Sequence, residues 1–444
     1  MITTHQNGAT ITVRLAARAI NPLSRLFQRE LAALIDKLEA QRQQLSGVIL
    51  GFDAESAGSD HELEHLMALT PAQAGDCMHM LGTYNALLRR LETLGIPVIA
   101  ALSGAVAGHA LGLALACHRR IGLADASYCL PQVHLGLTPV AGEIVRTVRL
   151  LGPQAAMPLL VDGATLDAAQ ALQAGLIHAV AKDHGHAARL TAETIAAAVQ
   201  PWEVRGYRLP GGELGSAPVQ ALLQVAPALL RARTGGQAPA PEAILCAMVE
   251  GLQVDFDSAL LIESRYFCQT AIHPVARNLM RLSQIRADLT SPAAVEFAAT
   301  LGAALERETG ALREEGVPET LLRNAARAAG LTPPIGAGYR PAGQADTAAR
   351  APAPRQRADR PAPPAFDEIR DRLLYAMVIA ALRGVLHGKP ASRDEADLVA
   401  VRACGFPAHT GGAVRFIQHV GKDTIAGRAA ALGPRFALPP GWDA

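Results

Sequence analysis

Apolar and polar residues alternate from Ala9 to Leu15 (ATITVRL), which predicts a strand with one buried face. From Ser24 to Gln44 the apolar residues recur at helical spacing, predicting an amphipathic helix, and LSGVILGF (45–52) then reads as a buried strand. Leu63 to Gly95 is mostly helical in pattern, and IPVIAALSG (96–104) predicts a strand ending in a turn. After His109 the run of small apolar residues favours a helix packed closely against its neighbours. Short strands are expected at Arg120–Ala124 and Ser127–Leu130, helices at Glu143–Leu151 and Leu166–Ala174, and a further strand at LIHAV (176–180). Strands alternating with helices over about 190 residues predict an α/β domain.

From about residue 186 the pattern becomes helical, broken by RLPGGELGSAP (208–218) and RTGGQAPAPE (233–242). Residues 331–365 are rich in Pro, Ala, Arg and Gly and read as an extended or disordered linker. A last helical segment starts at Phe366.

Composition narrows the function classes. The 444 residues are 50% hydrophobic, enough to bury a sizeable core, and only 4% aromatic, which suits closely packed helices and a tight sheet. Lys and Arg number 41 against 40 Asp and Glu, so overall charge gives no reason to expect nucleic acid or an anionic membrane as the main partner. The six cysteines (77, 117, 129, 246, 268 and 404) form no CxxC pair and read as reduced structural thiols of a cytoplasmic protein. The N-terminus lacks the basic start and apolar core of a signal peptide, and Ile96–Ala107 is too short to span a bilayer. His61, His65 and His79 do not make a metal-ligand set, so no metal is expected. His118 and His134 read as packing or surface residues, and Arg205, Arg208 and Arg277 as isolated cations.

One stretch asks for a chemical explanation. SGAVAGHALGLALACH (103–118) is small and glycine-rich, as though a ligand or another backbone must come close. With its flanks, residues 96–180 resemble the crotonase (enoyl-CoA hydratase/isomerase) superfamily. The matching positions are Pro97, Ala100, Gly104, Gly108, Leu130, Pro131, Leu135, Gly136, Pro139, Gly142, Arg146, Leu151, Gly152, Ala168, Ala171, Gly175 and Leu176. ESAGSDHEL (55–63) looks like the family's A-G-A-D segment. The remainder is similar to the alpha subunit of bacterial fatty-acid-oxidation multienzymes, through QPWEVRGYRLPGG (200–212), APAPEAIL (238–245) and residues 256–281. Residues 311–336, 366–386 and 396–421 look like the helical end of the 3-hydroxyacyl-CoA dehydrogenase. In those multienzymes a dinucleotide-binding domain follows the joining segment. Here only Leu282–Pro292 separates the two helical regions, far short of the roughly 150 residues such a domain needs, and no GxGxxG follows a strand. No NAD chemistry is expected.

The resemblance implies an α/β, crotonase-like spiral ββα domain over residues 1–190 and a helical joining segment over 191–290. It further implies a first helical repeat over 291–330, a linker over 331–365 and a second repeat over 366–444. It implies coenzyme A thioesters as ligands and no permanent cofactor, with Ala57, Gly58 and Asp60 near the CoA and Asp60 read as a structural cap. The backbone N–H groups of Ser59 and His109 would form an oxyanion hole, which suits a developing enolate at a helix N-terminus. The family's hydratases place two glutamates. Here Gly112 and Gln132 stand at those positions, and neither can serve as a general base. His109 and Glu143 stand where the family prefers glycine, and either could compensate as a catalytic group.

Three functions therefore stay open at the level of sequence. One is an acyl-CoA-binding relative of the β-oxidation enzymes, without hydratase or dehydrogenase activity, acting as sensor or scaffold. Another is an enzyme with altered acyl-CoA chemistry (a lyase, isomerase or hydrolase) using His109, Glu143 or both. The third is a hydratase-like subunit of a β-oxidation complex. A homo-oligomer or a complex subunit is expected, with no nucleic acid and no membrane span.

Overall fold

A hairpin opens the chain. β1 (Ile2–Asn7) pairs antiparallel with β2 (Thr10–Leu15) across Gly8, whose φ of 58° suits the tight turn. β1 is exposed from Thr3 to Asn7, so it lacks the apolar alternation that would have marked it in the sequence. β2 turns Ile11, Val13 and Leu15 fully into the core, as its alternation required. The computed structural model describes residues 2–52, 60–183, 186–187, 190, 198–332, 364–390 and 392–442. It divides into two units, Met1–Arg277 and Asn278–Ala444.

In the first unit α1 (Arg25–Gln41) is capped by Ser24, whose hydroxyl accepts from Phe27 N, and buries Phe27, Leu31, Leu34, Ile35 and Leu38 along one stripe. Then follow β3 (Gly47–Phe52), α2 (Asp60–Met67), α3 (Ala74–Glu92), β4 (Val98–Leu102), β5 (Ala105–Ala107), α4 (His109–Leu115), β6 (Arg119–Leu123) and β7 (Ser127–Cys129). After these come α5 (Glu143–Leu151), α6 (Pro153–Val161), β8 (Leu166–Asp167), α7 (Ala168–Ala174) and β9 (Ala179–Ala181). Six strands form one sheet in the order β1-β2-β3-β4-β6-β9, parallel beyond the opening hairpin. β5, β7 and β8 form a small second sheet. β5 follows β4 and β7 follows β6, each pair leading into a helix, which gives the strand–strand–helix repeat expected of the fold class, while β8 follows α6 and pairs antiparallel with β7.

Two boundaries differ from the sequence reading. The strand expected at 176–180 is β9, Ala179–Ala181, because Gly175 (φ 82°) closes α7 and the N–H groups of Leu176 and Ile177 turn back onto Ala171 O. The helix expected from Leu166 starts at Ala168. Asp167 and Gln170 make a capping box there, while Leu166 and Asp167 pair with β7. Helices α8 (Ala217–Thr234), α9 (Pro239–Gly251) and α10 (Phe256–Ala271) complete this unit, with α10 packed on α3, α5 and α9. α11 (Pro274–Gln284) starts in the first unit and ends in the second.

The second unit is helical, as expected: α12 (Pro292–Glu314), α13 (Glu319–Ala328), α14 (Phe366–Leu386), α15 (Arg393–Arg402), α16 (Phe416–Val420) and α17 (Lys422–Ala431). Its core gathers Phe297, Leu301, Tyr375, Met377, Val378, Phe406 and Phe416, with Phe416 meeting Tyr375 and Phe406 edge to face. The glycines of FPAHTGG (406–412) serve packing. Gly412 (φ 118°) lies against Asp397, whose carboxylate accepts from Val414 N, and an added Cβ would come within 2.3 Å of Asp397 Cβ. The linker reading at 331–365 lies almost wholly outside the described residues. Among the described residues no helix is long and apolar enough to cross a membrane.

A stability prediction arises from β9. Arg120 N donates to Nδ1 of half-buried His178, and burial, helped by the Arg120 and Arg119 charges, holds this imidazole down to about 3. The unfolded chain takes up that proton below its ordinary value, so stability falls as pH drops from roughly 6.5 towards 3, by on the order of 1–2 kcal/mol after solvent screening. His178→Gln should flatten that part of the stability–pH curve, measured by urea unfolding at several pH values. An unchanged slope would assign the acid sensitivity elsewhere.

Candidate active site

β5 ends at Ala107. Gly108 (φ 54°) turns the chain into α4, and its N–H donates to Cys129 O at the end of β7. His109 is the first residue of α4, where a backbone N–H has no acceptor within the helix. The other end of α4 is held by Arg120. Its fully buried guanidinium donates to the carbonyls of Ala114, Leu115, Cys117 and Leu176, which places a cation at the helix C-terminus.

Gln132 comes from the single turn Pro131–Leu135 that follows β7, closed by Gly136 at φ 72°. Its side chain is buried.

Glu143 begins α5 after two left-handed residues, Ala141 (φ 64°) and Gly142 (φ 81°). Neighbouring groups hold this turn in place. Arg146 Nη1 donates to Ala141 O at 3.0 Å, and Arg146 Nε pairs with Glu92 Oε1 at 2.7 Å, both side chains being fully buried. Glu92 also pairs with Arg89. From α10, Glu263 accepts from Gly142 N (2.6 Å) and Val145 N (2.9 Å), capping α5 from outside its own helix. Burial pushes the Glu263 carboxyl up to about 8; the two N–H donors and Arg146 oppose that rise, and Glu143 adds to it. A Cβ on Gly142 would sit 1.7 Å from Arg146 Nη1, so glycine is required there twice over.

The two helix starts bring the candidate residues together. Glu143 Oε1 lies 2.7 Å from His109 Nδ1. Glu143 Oε2 accepts from Gln132 Nε2 at 2.6 Å and from Val140 N at 3.2 Å. With Glu143 as a carboxylate, which only accepts, the hydrogen of this bond sits on Nδ1 of His109. Glu143 is fully buried, while 15% of the His109 side chain is exposed. The residue at 112 is glycine, yet the space beside it holds a carboxylate. A Cβ on Gly112 would meet Glu143 Cγ at 2.7 Å and Oε1 at 2.8 Å. Glu143 thus fills, from α5, room that a side chain on α4 would need.

The other expected site residues separate into three groups. Ala57, Gly58 and Ser59 lie outside the described residues, and Asp60 opens α2. His118 is buried, accepting from Val98 N and bonding Glu92 O, and Arg277 donates to the carbonyls of Met67 and Leu69, so both are structural. His134, Arg205 and Arg208 are exposed. Among the described residues no three His, Cys, Asp or Glu side chains group to hold a metal.

Sequence reasoning missed Glu263 and the Glu92–Arg146 pair. Glu263 had a local signal, a carboxylate inside the apolar stripe of Ala259, Leu260, Phe267 and Cys268.

Residues 5–200 match the family model described as enoyl-CoA hydratase/isomerase. Among solved structures, an enoyl-CoA hydratase from Bacillus halodurans is 17% identical, with 63% of this chain and 98% of that one covered and a TM-score of 0.42. An enoyl-CoA hydratase/carnithine racemase from Magnetospirillum magneticum is 28% identical over 44% of this chain and 74% of that one, with a TM-score of 0.38. DspI of Pseudomonas aeruginosa is 24% identical over 56% and 92%, with a TM-score of 0.39. Residues 5–200, with their strand–strand–helix repeat and glycine-turned helix starts, form a domain of the enoyl-CoA hydratase/isomerase type, that of the crotonase superfamily.

Proposed function

We propose that this protein is an enzyme acting on acyl-CoA thioesters, with His109 as its proton-transfer group and Glu143 as the residue that orients it, and that its reaction is thioester hydrolysis. The observation that carries the reading is the 2.7 Å contact between His109 Nδ1 and Glu143 Oε1, made in the side-chain space of Gly112.

A hydratase of this family uses two separate carboxylates, and here the single carboxylate is committed to His109, Gln132 and Val140 N. A histidine backed by a carboxylate performs a different cycle. His109 Nε2 takes a proton from water as the water oxygen attacks the thioester carbonyl carbon. Glu143 compensates the charge that the ring acquires. The backbone N–H of His109, with that of Ser59, receives the negative charge on the carbonyl oxygen. The C–S bond then breaks, and the imidazolium returns its proton to the departing sulfur. Acyl-CoA and water give a carboxylic acid and free CoA, with no electrons exchanged and no cofactor needed. The helical second unit, residues 278–444, fits the assembly role that the dehydrogenase-like segments imply.

The test is release of free thiol from acetyl-, butyryl-, octanoyl- and crotonyl-CoA, with hydration of crotonyl-CoA followed in parallel. Thiol release without hydration supports the reading. Hydration of crotonyl-CoA, or tight binding with neither reaction, would replace it with the hydratase-like subunit or the non-catalytic binder respectively.

A further inference from the structure

We infer that Cys77 and Cys268 are a redox-active pair, which a hydroperoxide converts to a reversible disulfide tying α10, the helix that carries Glu263, to α3.

Contacts along α3 and α10 set the register of the two helices. Arg89 Nε pairs with Asp257 Oδ1 at 3.3 Å, Asn85 Nδ2 donates to Ser264 Oγ at 3.4 Å, and the thiols of Cys77 and Cys268 hydrogen-bond to each other. Moving back along α3 means moving forward along α10, so the helices are antiparallel and the two cysteines face each other by register as well as by contact. Both are buried, and neither is bridged. The remaining cysteines are placed differently. Cys117 Sγ donates to Leu113 O at 3.6 Å and Cys404 Sγ to Ala298 O at 3.5 Å, Cys129 bonds Thr165, and Cys246 is exposed.

The shared hydrogen comes from Cys268. That bond holds the Cys77 thiol below its ordinary value, against burial, and pushes Cys268 up, with burial adding to the rise. Cys77 therefore reaches the thiolate first, and the thiolate is the reactive form.

A buried pair needs a route for its oxidant. Cys268 lines a surface groove of about 580 Å³ between the two helices, together with Gly75 and Met78 from α3 and Leu261 from α10. Gly75 leaves its side of the groove open, since nothing lies within 4 Å of where its Cβ would stand. Hydrogen peroxide is far smaller than this space. The Cys77 thiolate attacks one peroxide oxygen and the O–O bond breaks. The sulfur becomes a sulfenic acid, and the other oxygen leaves as water with the proton that Cys77 released. Cys268, as thiolate, then attacks that sulfur. The S–O bond breaks, and the hydroxyl leaves as a second water with the Cys268 proton. The pair loses two electrons and the peroxide gains them; a small dithiol reverses the change. The bridge closes the long loop between residues 77 and 268, which constrains the unfolded chain. It also fixes α10 where Glu263 accepts from Gly142 N and Val145 N, so the turn into α5 keeps its cap.

The experiment exposes the reduced wild-type protein to hydrogen peroxide at several concentrations, alkylates the thiols that remain and maps the peptides without reduction. The expected product is a crosslinked peptide joining Cys77 to Cys268, an intact mass lower by two hydrogens, and a Tm about 5 °C above that of the reduced protein, all reversed by dithiothreitol. Cys77→Ala and Cys268→Ala should each lose both the crosslink and the rise in Tm. Peroxide that leaves both cysteines open to alkylation, that drives them to sulfinic or sulfonic acid without a crosslink, or that joins them only after unfolding in urea overturns the inference. The wild-type peptide map decides between these results by itself, so a variant that failed to fold would not leave the matter open.

Discussion

Glu143→Gln is expected to slow thiol release from acyl-CoA by about 10²–10⁴-fold while thioester affinity stays within roughly threefold. The substitution keeps the shape of the side chain. It removes the acceptor-only oxygen that holds the hydrogen on His109 Nδ1. An amide nitrogen placed at 2.7 Å would instead donate to Nδ1, moving the ring hydrogen to Nε2, where the nitrogen must be bare to accept a proton from water. The charge compensation for the imidazolium disappears at the same time. A Glu143 that served only to satisfy the start of α5 would behave differently, because glutamine would cost some stability and leave the rate alone. Steady-state kinetics together with thermal melting separate the two roles.

Gly112→Glu is expected to be among the most damaging single changes in the first unit, costing roughly 3 kcal/mol or more. That drop corresponds to a Tm lower by roughly 5–10 °C. The substitution looks like a restoration, since it places a carboxylate where the family's hydratases have one. The geometry makes it an overfilling. The first added carbon would lie 2.7 Å from Glu143 Cγ, and two carboxylates would share a buried space that now holds one. Adding Glu143→Gly should relieve the clash and recover most of the lost Tm, because the room on α4 would be vacant again. If Gly112→Glu alone melted like the wild type, Glu143 would not occupy that space and the central geometric argument would fail.

Much of the first unit was legible from pattern. The alternation of β2, the helical stripe of α1 and the apolar run of β4 each carried its own period, and local period is what a single sequence displays. Gly108, Gly142 and Gly175 were visible as glycines, and all three adopt the left-handed backbone that only glycine takes without strain. β1 was illegible because it buries almost nothing. The candidate site was legible as a set of residues but not as an arrangement. Gly112, Gln132 and Glu143 each registered as a departure from the family pattern, and separately they read as two losses and one oddity. Their relation depends on the turn at Ala141–Gly142, which aims Glu143 back across α4, and on the groups that hold that turn, Arg146 from within α5 and Glu263 from a distant point in the chain. A contact between residues 109 and 143 has no sequence period, because it is made by tertiary packing.

The measurement that tests the account most directly is a double-mutant cycle on thiol release with His109→Gln, Glu143→Gln and the pair combined. Two groups that act as one proton-transfer unit should give strongly non-additive losses, each single variant falling nearly as far as the double. His109→Gln keeps the backbone N–H in place, so residual binding should survive in all three. The account predicts that coincidence of rates. Losses that simply multiply, or wild-type protein that binds acyl-CoA tightly and releases no thiol at all, would contradict it.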